Sequence, residues 1–432
     1  MTRRKSDVFQ SSRPVARAER VTRRLFLKQG LAASSTLVMP VVGIGASVSQ
    51  APDTPPPMKP LTSPGLPFSN YGQPSPHEHR VIRWISANPM APANGVSWTP
   101  LHDLEGTVTP NSLHFERHHN GVPQLDPARH RLLLDGMVER PLQFSLDALG
   151  RYPMVSRLCF IECGGNSSAA WRRQPLQAHA GYFHGLISCS EWTGVSLATL
   201  LAEAGADPQA GWLIAEGADA AGVSVSLPVP GIIDHALLAL YQNGERIRPE
   251  NGYPLRLVVP GWEGIVNVKW LRRLKLASEP LMSRYETAKY TDLLPDGRAR
   301  QFSFPMQVKS LITRPSVGFN LPGPGAYEIS GLAWSGKGRI HRVEVSVDGG
   351  KSWQSARLQE PVLPACLTRF RAAWRWEGVP AVLVSRAIDE NGEVQPSRDA
   401  LLAARGEHSR YHYNGLVSWL VRGDGAVEHV YL

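Results

Sequence analysis

Between Val81 and about Ala299, apolar positions recur at both helical and strand spacing, and the elements they predict are short and mixed. HRLLLDGMVERPLQFSLDAL (130–149) opens as a strand, turns at Asp135-Gly136 and ends in a short helix started by Ser145. VSLATLLAEAGA (195–206) has helical spacing and stops at Gly205. PLRLVVPG (254–261) is nearly continuous apolar, the pattern of a strand buried on both faces. IVNVKWLRRLKL (265–276) reads as a further strand, with alternation turning Lys269 inward. LCFIECGGNSS (158–168) is an apolar run that breaks at Cys163 and two glycines, as a strand does where the backbone turns sharply.

From about Phe304 onward the period settles at two. SLITRPSVG, AYEISGLAWSG, IHRVEVSVDGGKSWQSARL, RFRAAWRWEG and AVLVSRAIDENG alternate apolar and polar residues between Gly-rich turns. VEVSVDGGKSW is a hairpin with Asp348-Gly349-Gly350 as its turn, and a series of such strands predicts an antiparallel sandwich of immunoglobulin type. Only Cys366 lies in this part, which does not fit an antibody domain. The expected fold class is α+β: a mixed α/β domain over residues 81–302, then an immunoglobulin-like β-sandwich over 303–432.

With 432 residues, 42% of them hydrophobic, the chain suits two globular domains. Its net charge of +9 invites a nucleic-acid partner, but the distribution argues against one. Residues 1–30 hold nine Lys/Arg against two acids, a balance of +7, leaving +2 for the rest. TRRLFLKQG (22–30), followed by a mildly apolar run over 31–48, reads as a twin-arginine export signal within residues 1–50. Ser, Thr, Pro and Gly make that run a poor membrane anchor. APDTPPPMKPLTSPGLP makes 51–80 a linker. The expected location is the periplasm, reached in folded form.

Four cysteines stand at 159, 163, 189 and 366. Their spacing fits neither zinc nor C-x-x-C chemistry, and haem and iron–sulfur motifs are absent. Cys159 and Cys163 are expected to point in different directions, and a Cys159–Cys189 disulfide is left open. Cys163 suits a soft or high-valent transition metal, with glycines that admit a bulky partner; an inert buried cysteine fits the same pattern. In HFERHHNGVP (114–123), Arg117, His118 and His119 form a donor cluster for an oxyanion or phosphate, or a solvated loop. Arg256 and Lys269 form a basic set with Arg272 and Arg273, and an inward Lys269 needs an anionic partner. SRYETAKYTDLLPDG (283–297) presents Tyr285 and Tyr290 in a polar loop.

Taken together, IECGGNS, FERHHNGVP, SEWTGVSLATLLAEAG, YQNGERIRPENGYPLRLVVPG and VKWL resemble the sulfite oxidase family of molybdenum enzymes, from about His79 to the C-terminus. AWSGKGRIHRVEVSVDGGKSW and AIDENGEVQP resemble its dimerisation domain, and RYETAKYTDLLPDGRARQF resembles the sulfane dehydrogenase branch. The resemblance implies one molybdenum-molybdopterin per chain, with Cys163 as the thiolate ligand to the metal. It implies that His119, Arg256 and Lys269 hold the cofactor and that Arg117 and Tyr290 meet an anionic substrate. A homodimer through the C-terminal domain, a sulfane sulfur borne on a carrier protein, and a c-type dihaem cytochrome as electron acceptor complete the expectation. A sulfite dehydrogenase using free sulfite is the alternative within the family; a cofactor-free protein that kept the fold is the alternative outside it. Some positions depart from the pattern. Ser167 and Ser168 stand where the family carries arginines after the cysteine, so a cofactor arginine is missing or supplied by Arg172 or Arg173. Asn251 replaces a histidine, His118 an asparagine, and Asn414 a substrate arginine, which suits a substrate presented on another protein.

Overall fold

The apolar run that leads to Cys163 becomes the strand Met154–Glu162, whose last four residues are buried. A computed structural model describes residues 69–91 and 93–432; the leader expected over 1–50 and the linker up to residue 68 lie outside the described residues. Met154–Glu162 pairs antiparallel with Ile187–Ser196, and that strand pairs with Leu237–Gln242, which also takes Glu245–Arg246 and Arg256–Val258. A second sheet runs Leu142–Ser145, Arg131–Gly136, Leu271–Ala277, Trp212–Gly217, Ser224–Pro228, with one parallel pair between Arg131–Gly136 and Leu271–Ala277. Val195, Leu238 and Leu257 of the first sheet share a core with Leu134, Leu213 and Leu274 of the second. The helix Leu197–Ala204 buries Leu197, Leu200 and Leu201 there and ends at Gly205 with φ +66°.

The alternating C-terminal stretches form two stacked antiparallel sheets. One contains Lys309–Arg314, Gly325–Trp334, Thr368–Trp376 and Arg357–Leu358; the other contains Gln354–Ser355, Ile340–Ser346, Ala381–Asp389, Ser418–Val421 and Val427–Val430. Ile329, Leu332, Phe370, Val343, Leu383 and Trp419 fill the space between them. Gly349 and Gly350 turn the expected hairpin at φ +75° and +87°, while the Asp348 carboxylate accepts from the N–H groups of Lys351 and Ser352. The sandwich core does not end at the sandwich. Phe160, Phe183, Ile187 and Cys189 belong to it, so the cysteine-bearing sheet packs directly on the C-terminal half.

Three local expectations change. The helix starts at Leu197 because Val195 and Ser196 still belong to a strand. The strand expected over 265–276 begins only at Leu271. Before it, the Asn267 side chain accepts from Val259 N–H (2.7 Å) and donates to the carbonyls of Trp262 and Glu263, so a 3-10 turn at Gly264–Val266 replaces a ladder. Lys269 therefore sits in a loop, and alternation does not set its direction. Cys159 and Cys163 do not diverge either: Cys159, Ile161 and Cys163 fall in one cluster, because the side-chain period of a strand is two.

Register settles the disulfide question. Cys159 is opposite Ser190 and Phe160 is opposite Cys189. Directly opposed residues share a face, so Cys159 and Cys189 lie on opposite faces, and all four cysteines are free. Denaturing the protein in excess iodoacetamide without reductant is expected to label every cysteine; a Cys159–Cys189 cross-linked peptide by mass spectrometry would contradict this register.

Candidate active site

One open cavity collects the chemistry. Arg117, His119, Cys163, Arg256, Lys269 and Tyr290 all line it, although they come from five separate stretches of chain. Cys163 stands one residue beyond its strand. Its N–H donates to Leu186 O (2.9 Å), and its carbonyl accepts from Asn166 N–H (2.8 Å), which closes the turn. A Cβ on Gly164 would run into the Glu263 carboxylate, and one on Gly264 would lie 2.9 Å from Glu162 O and 3.2 Å from Cys163 Cα. At Gly264 two backbones converge behind the thiol, and at Gly164 the missing side chain leaves room for the Glu263 carboxylate. Burial pushes the Cys163 thiol up to about 11, opposed by the Gly165 N–H and Arg117. The free thiol thus keeps its proton at neutral pH, and a metal must displace it.

Arg117 lies on the strand Glu116–His118, opposite Val96, and its Nη1 donates to Gly95 O (3.3 Å), Asn94 Oδ1 (3.4 Å) and His118 O. No carboxylate pairs with it among the described residues. The Lys269 ammonium donates to His118 Nδ1 (2.8 Å), Glu250 O (3.0 Å) and Arg117 O (3.2 Å), so its three hydrogens are all engaged. With its Nδ1 accepting, His118 donates from Nε2 to Glu116 Oε2 (2.6 Å). The expected anionic partner of Lys269 is absent as a direct contact; a neutral imidazole relays it to Glu116. Burial and Arg256 hold the Lys269 pKa well below its ordinary value.

Arg256 is 5% exposed, and its side-chain hydrogen bond runs from Nη1 to Asn251 O (2.9 Å), with the guanidinium over the Trp192 ring. Its Nε and the Nε2 of His114, also on the cavity wall, are buried without partners. Burial brings the Arg256 pKa down to about 9. A buried cation with a spare donor and no counter-ion marks a place for an anionic ligand. Tyr290 has φ +52° and stacks on Tyr411 at 5.0 Å. Burial, with Cys163 and Glu263 adding to it, raises its pKa well above 10, so the phenol stays protonated.

Several expected residues lie elsewhere. Arg172 and Arg173 are exposed and do not line the cavity. Asn414 is buried away from the cavity, donating to Val308 O (3.2 Å). Arg273 pairs with Asp135 and Arg272 with Glu216, both on the second sheet. Three residues escaped the sequence reading. Glu263 lies behind the Cys163 turn with Oε1 unpartnered, and burial raises its pKa to about 7; its only signal was a carboxylate between glycines in PGWEG. Arg405 and Tyr411 join Glu263 and Tyr290 around a smaller polar cavity of about 190 Å³.

Burial, then Arg117, Lys269 and Arg284, lower the His119 pKa to about 4, and burial lowers that of His114 to about 3. Both histidines are neutral in the fold, and the unfolded chain takes up protons first as pH falls. Stability is therefore complete above about pH 6.5 and is lost as pH drops toward 4. The urea midpoint is expected to be level from about pH 8 to 7 and to decline below 6.5, with a shallower decline in His119→Gln. Identical slopes for the two proteins would show that His119 titrates normally.

Residues 119–285 match the model of the oxidoreductase molybdopterin binding domain, and 300–418 that of the Mo-co oxidoreductase dimerisation domain. Over 321 residues the chain is 33% identical to sulfite oxidase of Gallus gallus, spanning 68% of this chain and 69% of that protein. It is 32% identical over 365 residues to mitochondrial sulfite oxidase of Mus musculus, spanning 77% of this chain but 65% of that one. The crystal structure of the sulfane dehydrogenase SoxCD from Paracoccus pantotrophus is similar at a TM-score of 0.82 and 46% identity, covering 86% of this chain and 96% of that chain. With its molybdenum-molybdopterin cofactor, a mixed α/β domain and an immunoglobulin-like sandwich, the chain belongs to the sulfite oxidase family of molybdopterin oxidoreductases.

Proposed function

We propose that this chain works in the periplasm, oxidises a sulfane sulfur carried on a partner protein, and passes the electrons to a c-type dihaem cytochrome. The observation that carries the reading is the convergence of a thiol, an unpaired guanidinium and a protonated phenol, Cys163, Arg117 and Tyr290, on one basic cavity. The likeness to a sulfane dehydrogenase at 46% identity supports the substrate class. The lack of any haem motif supports a separate electron acceptor, the twin-arginine leader supports export, and the dimerisation-domain match supports a homodimer. Among the described residues no helix is long and apolar enough to cross a membrane.

The cavity fits the cofactor. Cys163 would hold the metal, and Arg256, with its spare Nε, would meet an anionic part of the pterin moiety. His119 would offer a neutral ring, and Lys269 its charge, while its hydrogens stay on the protein. When bound, the cofactor supplies a two-electron acceptor and the oxygen that the sulfur gains. Arg117 orients the anionic sulfur, because its strand and three acceptors hold the guanidinium in place. Tyr290 donates its proton in a hydrogen bond to the developing oxyanion.

Cys163→Ser is expected to fold and to lose turnover by more than about 100-fold, whereas Cys366→Ser stays within about twofold of wild type. Near-normal turnover in the first variant would refute the ligand assignment. Purified with its native partner, the protein should reduce cytochrome c at least about tenfold faster with a persulfidated carrier protein than with free sulfite. The reverse ratio would turn the reading to a sulfite dehydrogenase.

A further inference from the structure

The turn that presents Cys163 is held from the other half of the molecule. Lys309 begins the first sandwich strand, and its side chain is 1% exposed. Its ammonium donates to Glu162 Oε1 (3.2 Å) and Ser167 Oγ (2.7 Å), the residues that bracket the turn. Glu162 Oε1 also accepts from Asn166 Nδ2 (3.0 Å), and Oε2 accepts from the Trp334 indole N–H (2.7 Å). Ser167 holds a left-handed backbone at φ +63° and shares its hydroxyl with His184 Nδ1 (2.6 Å). Lys309 does not line the cavity, so it can act only through these neighbours.

We propose that Lys309, reaching over from the sandwich, is the positioning residue of the Cys163 turn. The inference rests on Cys163 being the metal ligand. Side chains at 162, 166 and 167 converge on one carboxylate–ammonium centre, so the backbone between them has little room to shift, and the sulfur direction follows. Without the ammonium, Glu162 keeps an unbalanced negative charge beside the ligand, which favours the oxidised metal.

The test compares full-length holoenzymes by Mo(V) electron paramagnetic resonance and by midpoint potential. Lys309→Met is expected to shift the g-values and to lower the potential by at least a tenfold change in the one-electron equilibrium, about 59 mV. A fall in Tm with spectrum and potential unchanged would overturn the proposal, since a purely structural lysine moves only stability. If Lys309→Met does not accumulate with metal, Ser167→Ala carries the test. It removes one of the two contacts, and a smaller shift of the g-values is expected; an unchanged spectrum sinks the idea. Cys163→Ser is measured in parallel. A wild-type spectrum there would instead strike the ligand assignment, which separates the two failures.

Discussion

The contact between Glu162 and Lys309 is the constraint on which the arrangement depends. Both side chains are nearly unexposed, at 3% and 1%. A buried charge without its partner costs several kcal/mol, so losing either residue while the other stays is destabilising. One belongs to the strand that delivers Cys163, the other to the sandwich. The pair also explains the apolar surroundings. Phe160 and Cys189 on one side and Trp334 and Leu311 on the other exclude water from the ion pair and are themselves one core. The sandwich is thus part of the site's foundation and acts as more than an appended module.

Around that foundation the cavity is arranged to hold negative charge. Arg117 has no carboxylate partner among the described residues, Arg256 keeps a spare donor, and His114 and His119 are held neutral by burial. Cations left uncompensated at buried positions cost stability unless a ligand completes them. Burial keeps Tyr290 protonated against that field, so it remains a donor at every ordinary pH. Positive φ values at Ser167, Trp270, Tyr290 and His412 lie in the segments that border the cysteine turn and the cavity. Backbone strain of this kind persists where the surroundings over-determine it. His412 illustrates how, since its N–H donates to Gly164 O at 2.7 Å.

Much of this was legible in local pattern. Alternation from Phe304 onward foretold the sandwich, Asp348-Gly349-Gly350 its hairpin, and the break at Cys163-Gly164-Gly165 the turn that carries the thiol. Such features depend on residues that are neighbours in sequence, so their signals are local. The errors have a common origin. Lys269 was given a strand because the run around it is apolar, but the Asn267 side chain captured the backbone groups first. Arg172 and Arg173 were considered as cofactor cations because they are close in sequence, yet they face solvent.

By itself, then, the amino-acid sequence determined the fold class, the short elements and the residue types able to bind a metal and an anion. Tertiary structure alone decided that Cys159 and Cys189 face opposite ways, that Lys269 is tied to His118, and that Lys309 reaches back to Glu162. Periodicity reports which face of an element is apolar, but not which distant element will cover it. Long-range partners are chosen by register and by the cost of leaving a buried charge alone, and both exist only once the chain has packed.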